Sequence, residues 1–372
     1  MIRLATVFSG IGAPEEALRK LGEDFKVVFA CDNGERELKK TIEDNGESKK
    51  VEITYEEIMS AISDMTEEEK WAYINKLYDE TGKPNFVKQS YFANNEISGD
   101  NWFEDVRFID GARYTDKVDI LVGGSPCQTF STYGQKKGFE DTRGTLFFFY
   151  AKLIKQIRPK VFIYENVPGL KSHDKGKTWK RIQEIFNDLD YTIYHSVLNA
   201  SDYGLPQARS RVFVVGFDKS LKIDDYEFPE PIPLEKKATD YLEQKVDLKY
   251  YLGKKGFEWV TIKEKHQGRS RVNRDIICCQ TANQQFNWTG DFRLEKPTDE
   301  IRADKRIYIG KFKDEECVAR KLTPTECLRL MGFEDFKIVV NDVNAYRQCG
   351  NSIAVPVLKY IFKSIINKVN FN

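Results

Sequence analysis

Two side chains in this sequence stand where chemistry could be done. Cys127 lies in VDILVGGSPCQTFSTYG at 118–134, and Glu165 lies in VFIYENV at 161–167. Each follows an apolar run of the kind that forms a buried strand. In open α/β sheets, ligands sit beyond the carboxyl ends of the strands. A thiol at such an exit, near a cofactor and cations, can become a nucleophilic thiolate. A carboxyl leaving an apolar strand is partly desolvated, which raises its pKa and favours the protonated acid. The two are a candidate nucleophile and acid. Taken singly, each has a plain alternative: a buried structural thiol, or a carboxylate bonded to loop amides. A cysteine hydrolase would need a histidine base. Only His173, His195 and His266 exist, and none falls at an expected strand end beside Cys127. The chemistry must therefore be one that needs no histidine.

A second constellation lies at the N-terminal end. The run Phe8-Ser9-Gly10-Ile11-Gly12 follows a short apolar segment and precedes the helical stretch EEALRKL. Two glycines let the backbone turn tightly and approach a ligand at a helix N-terminus. About twenty residues on, Asp32 ends a second apolar segment, where an acid can bond ribose hydroxyls. The layout fits an adenosine-containing cofactor, although an ordinary tight turn shares it. The third glycine of the dinucleotide fingerprint is replaced by Glu15, which would repel a pyrophosphate and so disfavours NAD. S-adenosylmethionine has no phosphate and carries a cationic sulfonium.

These groups need a frame. Leu4–Phe8, Lys26–Cys31, Val118–Val122, Lys160–Tyr164, Tyr191–Leu198 and Arg211–Phe217 read as strands, with helices between them such as Thr145–Gln156 and Thr178–Leu189. Such alternation predicts an α/β fold, a mostly parallel sheet with helices on both faces. A long insertion over about 36–104 interrupts it. Thr66 and Glu69 there make a capping box, Trp71, Ile74, Leu77 and Tyr78 fall at helical spacing, and Gly82 and Pro84 end the run. From about 218 the pattern fades through EFPEPIPLEKK, which reads as a linker, into a basic region assigned to a second, smaller domain. Regular pattern returns at Leu322–Leu330 and near Ile353–Ile366.

The chain has 372 residues, seven cysteines without repeated spacing and zero net charge. A disulfide framework is not expected. No run of about 18 apolar residues predicts a membrane span, and the N-terminus has no signal-peptide pattern; a cytoplasmic protein is expected. Charge is unevenly spread. Residues 43–69 hold ten Asp/Glu against two Lys, and residues 245–275 hold nine Lys/Arg against four Asp/Glu. The basic stretch is either a solvated face or a surface that meets phosphates.

The ordered set FSGIGAP, GGSPCQTFS, YENVPGL, PQARSRVFVVG, RKLTPTECLRLMGF and QCGNSIAVPVL resembles the DNA methyltransferases that act on carbon 5 of cytosine, and most of all those of bacterial restriction–modification systems. The six blocks span residues 8–358 in family order. The resemblance implies a Rossmann-like S-adenosylmethionine-dependent methyltransferase domain plus a target-recognition domain. It divides the chain into a catalytic part, 1–217 and 341–372, and a recognition part with its hinge, 218–340. It makes Cys127 the nucleophile that adds to carbon 6 of the base, with Pro126 fixing its loop. It gives Glu165 a role at ring nitrogen 3. Arg211, with Arg209 beside it in the Gln207-x-Arg-x-Arg pattern, holds the base oxygen. The target base must be flipped out of its duplex.

For the cofactor, S-adenosyl-L-methionine going to S-adenosyl-L-homocysteine, the resemblance implies Phe8, Ser9, Gly10, Ile11, Gly12, Asp32, Asn33 (where relatives often carry tryptophan), Asp105, Val106, Pro126, Asn351, Ser352 and Ile353. Asn351 and Ser352 can also serve as helix caps. For double-stranded DNA it implies Gln128, Ser131, Lys136, Lys137 and Arg143 in a closing loop, Gln207, and Gln267, Arg269, Arg271 and Arg274 in or after HQGRSR. Relatives usually carry Thr-Leu late in the recognition part; here Cys279-Gln280 is nearest that position. The insertion's acidity opposes a grip on DNA phosphates, so a scaffold role or a partner contact is expected of it. No metal site is expected. A monomer is expected, in a bacterium or phage-infected cell, with a separately encoded restriction endonuclease as possible companion. Two alternatives remain. One is a tRNA cytosine methyltransferase, whose usual Cys-Phe-Thr tripeptide is absent. The other is a DNA-binding module without catalysis, which the intact PCQ, ENV and QxRxR motifs oppose.

Overall fold

The structure, a computed structural model, describes residues 1–44, 47–125, 146–261 and 270–371. The chain divides into two compact units. Unit 1 is Met1–Val197, Arg211–Glu227 and Ile366–Asn372; unit 2 is Leu198–Ser210 and Phe228–Ile365. Among the described residues, no helix is long and apolar enough to cross a membrane.

In chain order the strands that bear on the site are β1 (Ile2–Val7), β2 (Phe25–Cys31), a hairpin of β3 (Lys39–Asp44) and β4 (Glu47–Glu52), β5 (Trp102–Phe103), β6 (Ile120–Gly123), β7 (Val161–Asn166), β8 (Tyr191–Asn199), β9 (Gln207–Ala208) and β10 (Ser210–Asp218). Unit 1 is built on a seven-stranded sheet of order β5-β2-β1-β6-β7-β10-β8. β5, β2, β1, β6 and β7 run parallel, and β10 lies antiparallel to β7. The central strands are largely apolar and buried because both faces are covered, as parallel sheets require. α1 (Ala13–Leu21) follows β1, with Pro14 in its first turn, where a missing N–H costs nothing. Rings of Phe147, Tyr150, Phe162, Tyr164 and Phe186 form the centre of the core.

The inserted segment is folded. It comprises the hairpin and two helices, α2 (Tyr55–Ala61) and α3 (Glu67–Asp79), each started by a capping box, Thr54/Glu57 and Thr66/Glu69. The hairpin and α2 were not read from the sequence: the hairpin strands are almost wholly charged and polar, and α2 is only seven residues long, with Tyr55, Ile58 and its C-cap Ile62 as its whole apolar face. The chain then rejoins the sheet: α4 (Phe86–Asn94) leads to β5, whose Trp102 and Phe103 pair with Ala30 and Cys31.

Unit 2 holds the stretch that the sequence left without periodicity, together with the patterned segments Leu322–Leu330 and most of Ile353–Ile366. Four short strands, Ser270–Val272, Gly290–Glu295, Glu315–Lys321 and Gly310–Phe312, lie side by side in that order. The helix Lys254–Thr261 packs with them around Leu252, Phe257, Val260 and Phe292. The block RKLTPTECLRLMGF is fixed by a buried ion pair. Arg320 donates to both oxygens of Glu326, which also caps the helix Pro324–Arg329 through the amide of Thr323.

Candidate active site

β6 and β7 are parallel neighbours, so their carboxyl ends open on the same side. Glu165 stands near the end of β7. β10 runs the other way, pairing Phe213 with Glu165, so its first residues reach that same edge. Arg211 is two residues before Phe213 and on the same face, a diagonal neighbour of Glu165. Its Nε lies 3.0 Å from Glu165 Oε1, with the two side chains 16% and 14% exposed. The acid expected from sequence as merely desolvated is thus ion-paired.

The exit of β6 runs close beside Glu165. A Cβ built on Gly124 would lie 2.9 Å from the Glu165 carbonyl oxygen and 3.1 Å from its Oε2. On the other face of β7, Tyr164 and Asn166 hold the next residue. Ser125 Oγ is 3.0 Å from the Tyr164 hydroxyl, and Asn166 Nδ2 donates to the Ser125 carbonyl at 2.9 Å and to the Tyr164 oxygen at 2.8 Å. This buried network ties the segment that enters the PCQ motif to β7. Pro126, Cys127, Gln128, Ser131, Lys136, Lys137 and Arg143 lie outside the described residues.

The turn after β1 is a left-handed one. Phe8, Gly10 and Gly12 have φ of 54°, 54° and 89°. At Gly10 and Gly12 only glycine adopts this without cost. The Gly10 amide donates to Asp32 Oδ2 at 2.9 Å, and the Gly34 amide donates to Oδ1 at 2.8 Å. Burial pushes the Asp32 carboxyl up, against these two amides, which stabilise its ionised form. Ser9 is buried and bridges to the backbone of Cys31 in both directions. Ile11 is buried beneath the turn. An added Cβ at Gly10 would meet nothing within 4 Å, so the backbone there faces open space. Open space beside the Asp32 carboxyl suits an adenosyl group bearing a sulfonium and opposes a phosphate.

The part given to Glu15 in that argument needs correcting. Its side chain is fully buried and turned inward, accepting from the Tyr91 hydroxyl and from Thr6. It ties α1 to α4 rather than facing a ligand. Asp105 and Val106 follow β5 and are buried; the Asp105 carboxylate accepts from Tyr78 and from Arg107. Asn33 follows Asp32 and bonds the backbone of Glu35 and Arg36.

The remaining sequence-derived residues lie in unit 2. Arg209 is 3% exposed, and its guanidinium donates to the carbonyls of Gln280 at 2.7 Å, Gly350 at 3.0 Å and Ser352 at 2.6 Å. It clamps the Cys279-Gln280 segment to the GNS segment, which corrects its reading as a partner of Arg211 in holding a base. Gln207, expected at DNA, is wholly buried. It donates to the Leu330 carbonyl and accepts from the Gln280 amide, so its amide is spent inside the unit. Asn351 ends the helix Asp342–Asn351 and Ser352 is its C-cap, leading to Ile353. Arg271 lines a cavity of about 350 Å³ with Cys278, Gln280 and Asp291, and Arg274 reaches the Cys278 sulfur. Gln267 and Arg269 lie outside the described residues.

Sequence reasoning missed the Ser125–Tyr164–Asn166 network, the space held by Gly124, and Tyr78 behind Asp105. Strand alternation would have placed Tyr164 and Asn166 on one face and Glu165 on the other. Nothing local points from Tyr78 to Asp105, twenty-seven residues away.

Residues 73–367 match the family model described as C-5 cytosine-specific DNA methylase. The chain is 39% identical over 292 residues to the type II methyltransferase M.SsoII of Shigella sonnei, covering 77% of this chain and 72% of that protein. It is 40% identical over 289 residues to the type II methyltransferase M1.ScrFI of Lactococcus lactis subsp. cremoris, covering 76% and 69%. Among solved structures, DNMT2 of Spodoptera frugiperda superposes with a TM-score of 0.66 at 18% identity, covering 98% of this chain and all of that one, a likeness of fold alone.

Proposed function

The chain belongs to the C-5 cytosine-specific DNA methylase family and uses S-adenosylmethionine to methylate carbon 5 of cytosine in DNA, and we propose that it does so at one particular duplex sequence, on a cytosine swung out of the helix, through a covalent bond from Cys127 to carbon 6. The observation that carries this reading is the Glu165–Arg211 pair, with Glu165 close beside Gly124, which is three residues before Cys127 in sequence.

Carbon 5 of cytosine is a poor nucleophile. The Cys127 thiolate gives an electron pair to carbon 6, and the displaced π pair moves toward carbon 5. Glu165 protonates or hydrogen-bonds ring nitrogen 3, which takes up charge as the ring becomes an enamine. Arg211 holds both the base oxygen and the Glu165 carboxylate. S-adenosylmethionine, when bound, supplies an electrophilic methyl group. Once carbon 5 is methylated, its proton leaves to a solvent base. That electron pair rebuilds the ring double bond, the carbon–sulfur bond breaks, and the thiolate and Glu165 return to their starting states. The base can be reached only outside the duplex stack.

Phe8 to Gly12, Asp32, Asn33, Asp105, Val106, Pro126 and Asn351 to Ile353 are the residues that would hold the cofactor. Arg209 and Gln207 position the segments that flank them in unit 2. The recognition part, 218–340, reads the DNA, with Gln267, Arg269, Arg271 and Arg274 at bases or phosphates and Gln128, Ser131, Lys136, Lys137 and Arg143 closing over the duplex. This division, with 1–217 and 341–372 as the catalytic part, follows role rather than compactness. The protein acts as a cytoplasmic monomer that marks host DNA against a separately encoded endonuclease.

The experiment is incubation with S-adenosylmethionine and a mixture of DNA and RNA, followed by sequencing for 5-methylcytosine. Methylation at one duplex sequence is expected, lost in Cys127→Ala while DNA binding persists. Methylation confined to RNA, or activity surviving Cys127→Ala, would overturn the reading.

A further inference from the structure

The inserted segment has an inward face that meets the cofactor acids. Ile58, Ile62, Ile74 and Tyr78 form one buried cluster with Leu38 and Phe108. The Trp71 ring packs 4.5 Å from that of Phe103, and Tyr55 stacks on Phe108 at 5.7 Å. Phe103 and Phe108 flank Asp105-Val106 on either side, so the insertion grips this pair from both ends.

At the centre of the grip is a polar contact. Tyr78 is 1% exposed, and its hydroxyl donates to Asp105 Oδ2 at 2.8 Å. Asn33 and Asp105 lie just beyond the carboxyl ends of β2 and β5, where a ligand of an open sheet sits. Arg36 closes the other side. Its guanidinium lies 4.6 Å over the Tyr78 ring and pairs with Glu104, while its Nε donates to the Asn33 carbonyl. An insertion serving only as a scaffold would bury Phe at position 78. A buried hydroxyl is costly unless it is bonded, and this one is bonded to an acid at the cofactor end of the sheet.

We propose that the insertion is part of the cofactor site and that Tyr78 is its positioning residue, fixing the Asp105 carboxylate in the arrangement that receives the adenosyl group. This rests on the reading that S-adenosylmethionine lies against the Phe8–Gly12 turn and Asp32. Fixing a carboxylate in advance removes the entropy of ordering it on binding. The contribution therefore falls on cofactor affinity and not on the chemical step.

The test uses the full chain and Tyr78→Phe, which removes one oxygen and keeps the ring. Calorimetry with S-adenosylhomocysteine is expected to show Kd about tenfold weaker, the size of a lost hydrogen bond to a charged group. KM for S-adenosylmethionine should rise alongside, with kcat and KM for DNA unchanged. A merely structural role would lower the binding stoichiometry or kcat and leave Kd alone, and that result overturns the proposal. In an Asp105→Asn background Tyr78→Phe should add nothing; additive losses also overturn it. Asp32→Ala separates the two readings. If it leaves homocysteine-product binding intact, the location of the cofactor is wrong; if it abolishes binding while Tyr78→Phe changes nothing, only the role of Tyr78 is wrong.

Discussion

Arg211 Nε lies 3.0 Å from Glu165 Oε1, a charge-assisted contact between two largely buried side chains. The antiparallel placement of β10 beside β7 makes it possible, since a parallel strand would have put its start at the opposite edge. Neither group can move without the other. Glu165→Gln is expected to lower the single-turnover methylation rate by about 10²–10⁴, the range for loss of an acid–base group, and Arg211→Ala by a similar factor. The double variant should be no slower than the slower single one, because groups that act as a unit are not additive. Multiplying effects would show that they act separately.

Gly124 and Gly123 are adjacent and should fail differently. An alanine methyl at 124 would meet the Glu165 carbonyl oxygen at 2.9 Å and its Oε2 at 3.1 Å, whereas one at 123 would meet the Tyr150 ring at 2.7 Å and Val7 at 2.9 Å. Gly124→Ala must shift the backbone at Glu165 and crowd its carboxyl. It is expected to slow methylation by about tenfold or more, as small misplacements do, with little change in melting temperature. Gly123→Ala overpacks the core and should cost about 1–3 kcal/mol of stability, while the rate per folded molecule stays near that of the parent. Paired urea titrations and single-turnover rates distinguish the two.

Much of this site was legible because its parts are local. The strand exits at Gly123 and Glu165 announce themselves by apolar runs that stop, and the Gly10–Gly12 turn by its glycines. The helix from Thr66 was found through its capping box. What escaped depends on distance in the chain. Glu15 sits beside the turn in sequence, yet Thr6 and Tyr91 draw it inward. Arg209 and Arg211 look alike in QxRxR, but Arg209 falls in the break between β9 and β10 while Arg211 is inside β10, and one goes to backbone carbonyls and the other to Glu165. The strands Ser270–Val272 and Gly310–Phe312 of unit 2 have only three residues each, too few to show a period.

Arg209 offers a test of that difference. Its fork reaches three carbonyls from two segments, Gln280 on one side and Gly350 and Ser352 on the other. Lysine brings charge but no planar fork, so Arg209→Lys leaves buried carbonyls unpaired. The expected loss is about 1–3 kcal/mol, read by urea unfolding through the fluorescence of Trp259 and Trp288, both in unit 2. Unchanged stability would mean that the two segments are held by other contacts.

Glu15 makes stability depend on pH in a stated direction. Burial raises its carboxyl above the ordinary value of 4.5, against the bonds from Tyr91 and Thr6 that favour the ionised form. The folded chain therefore keeps a proton that the unfolded chain releases near 4.5. Stability falls with rising pH wherever the folded state holds more protons than the unfolded one. The contribution of Glu15 is complete below the unfolded value and is lost as pH climbs from there through the raised folded value. Glu15→Gln has no proton to lose. It should match the parent at about pH 4 and exceed it at about pH 8, so that the difference in urea midpoint grows between those limits. A difference that stays constant with pH would mean that Glu15 is ionised inside the fold, and that its burial is compensated by more than the two hydroxyls that reach it.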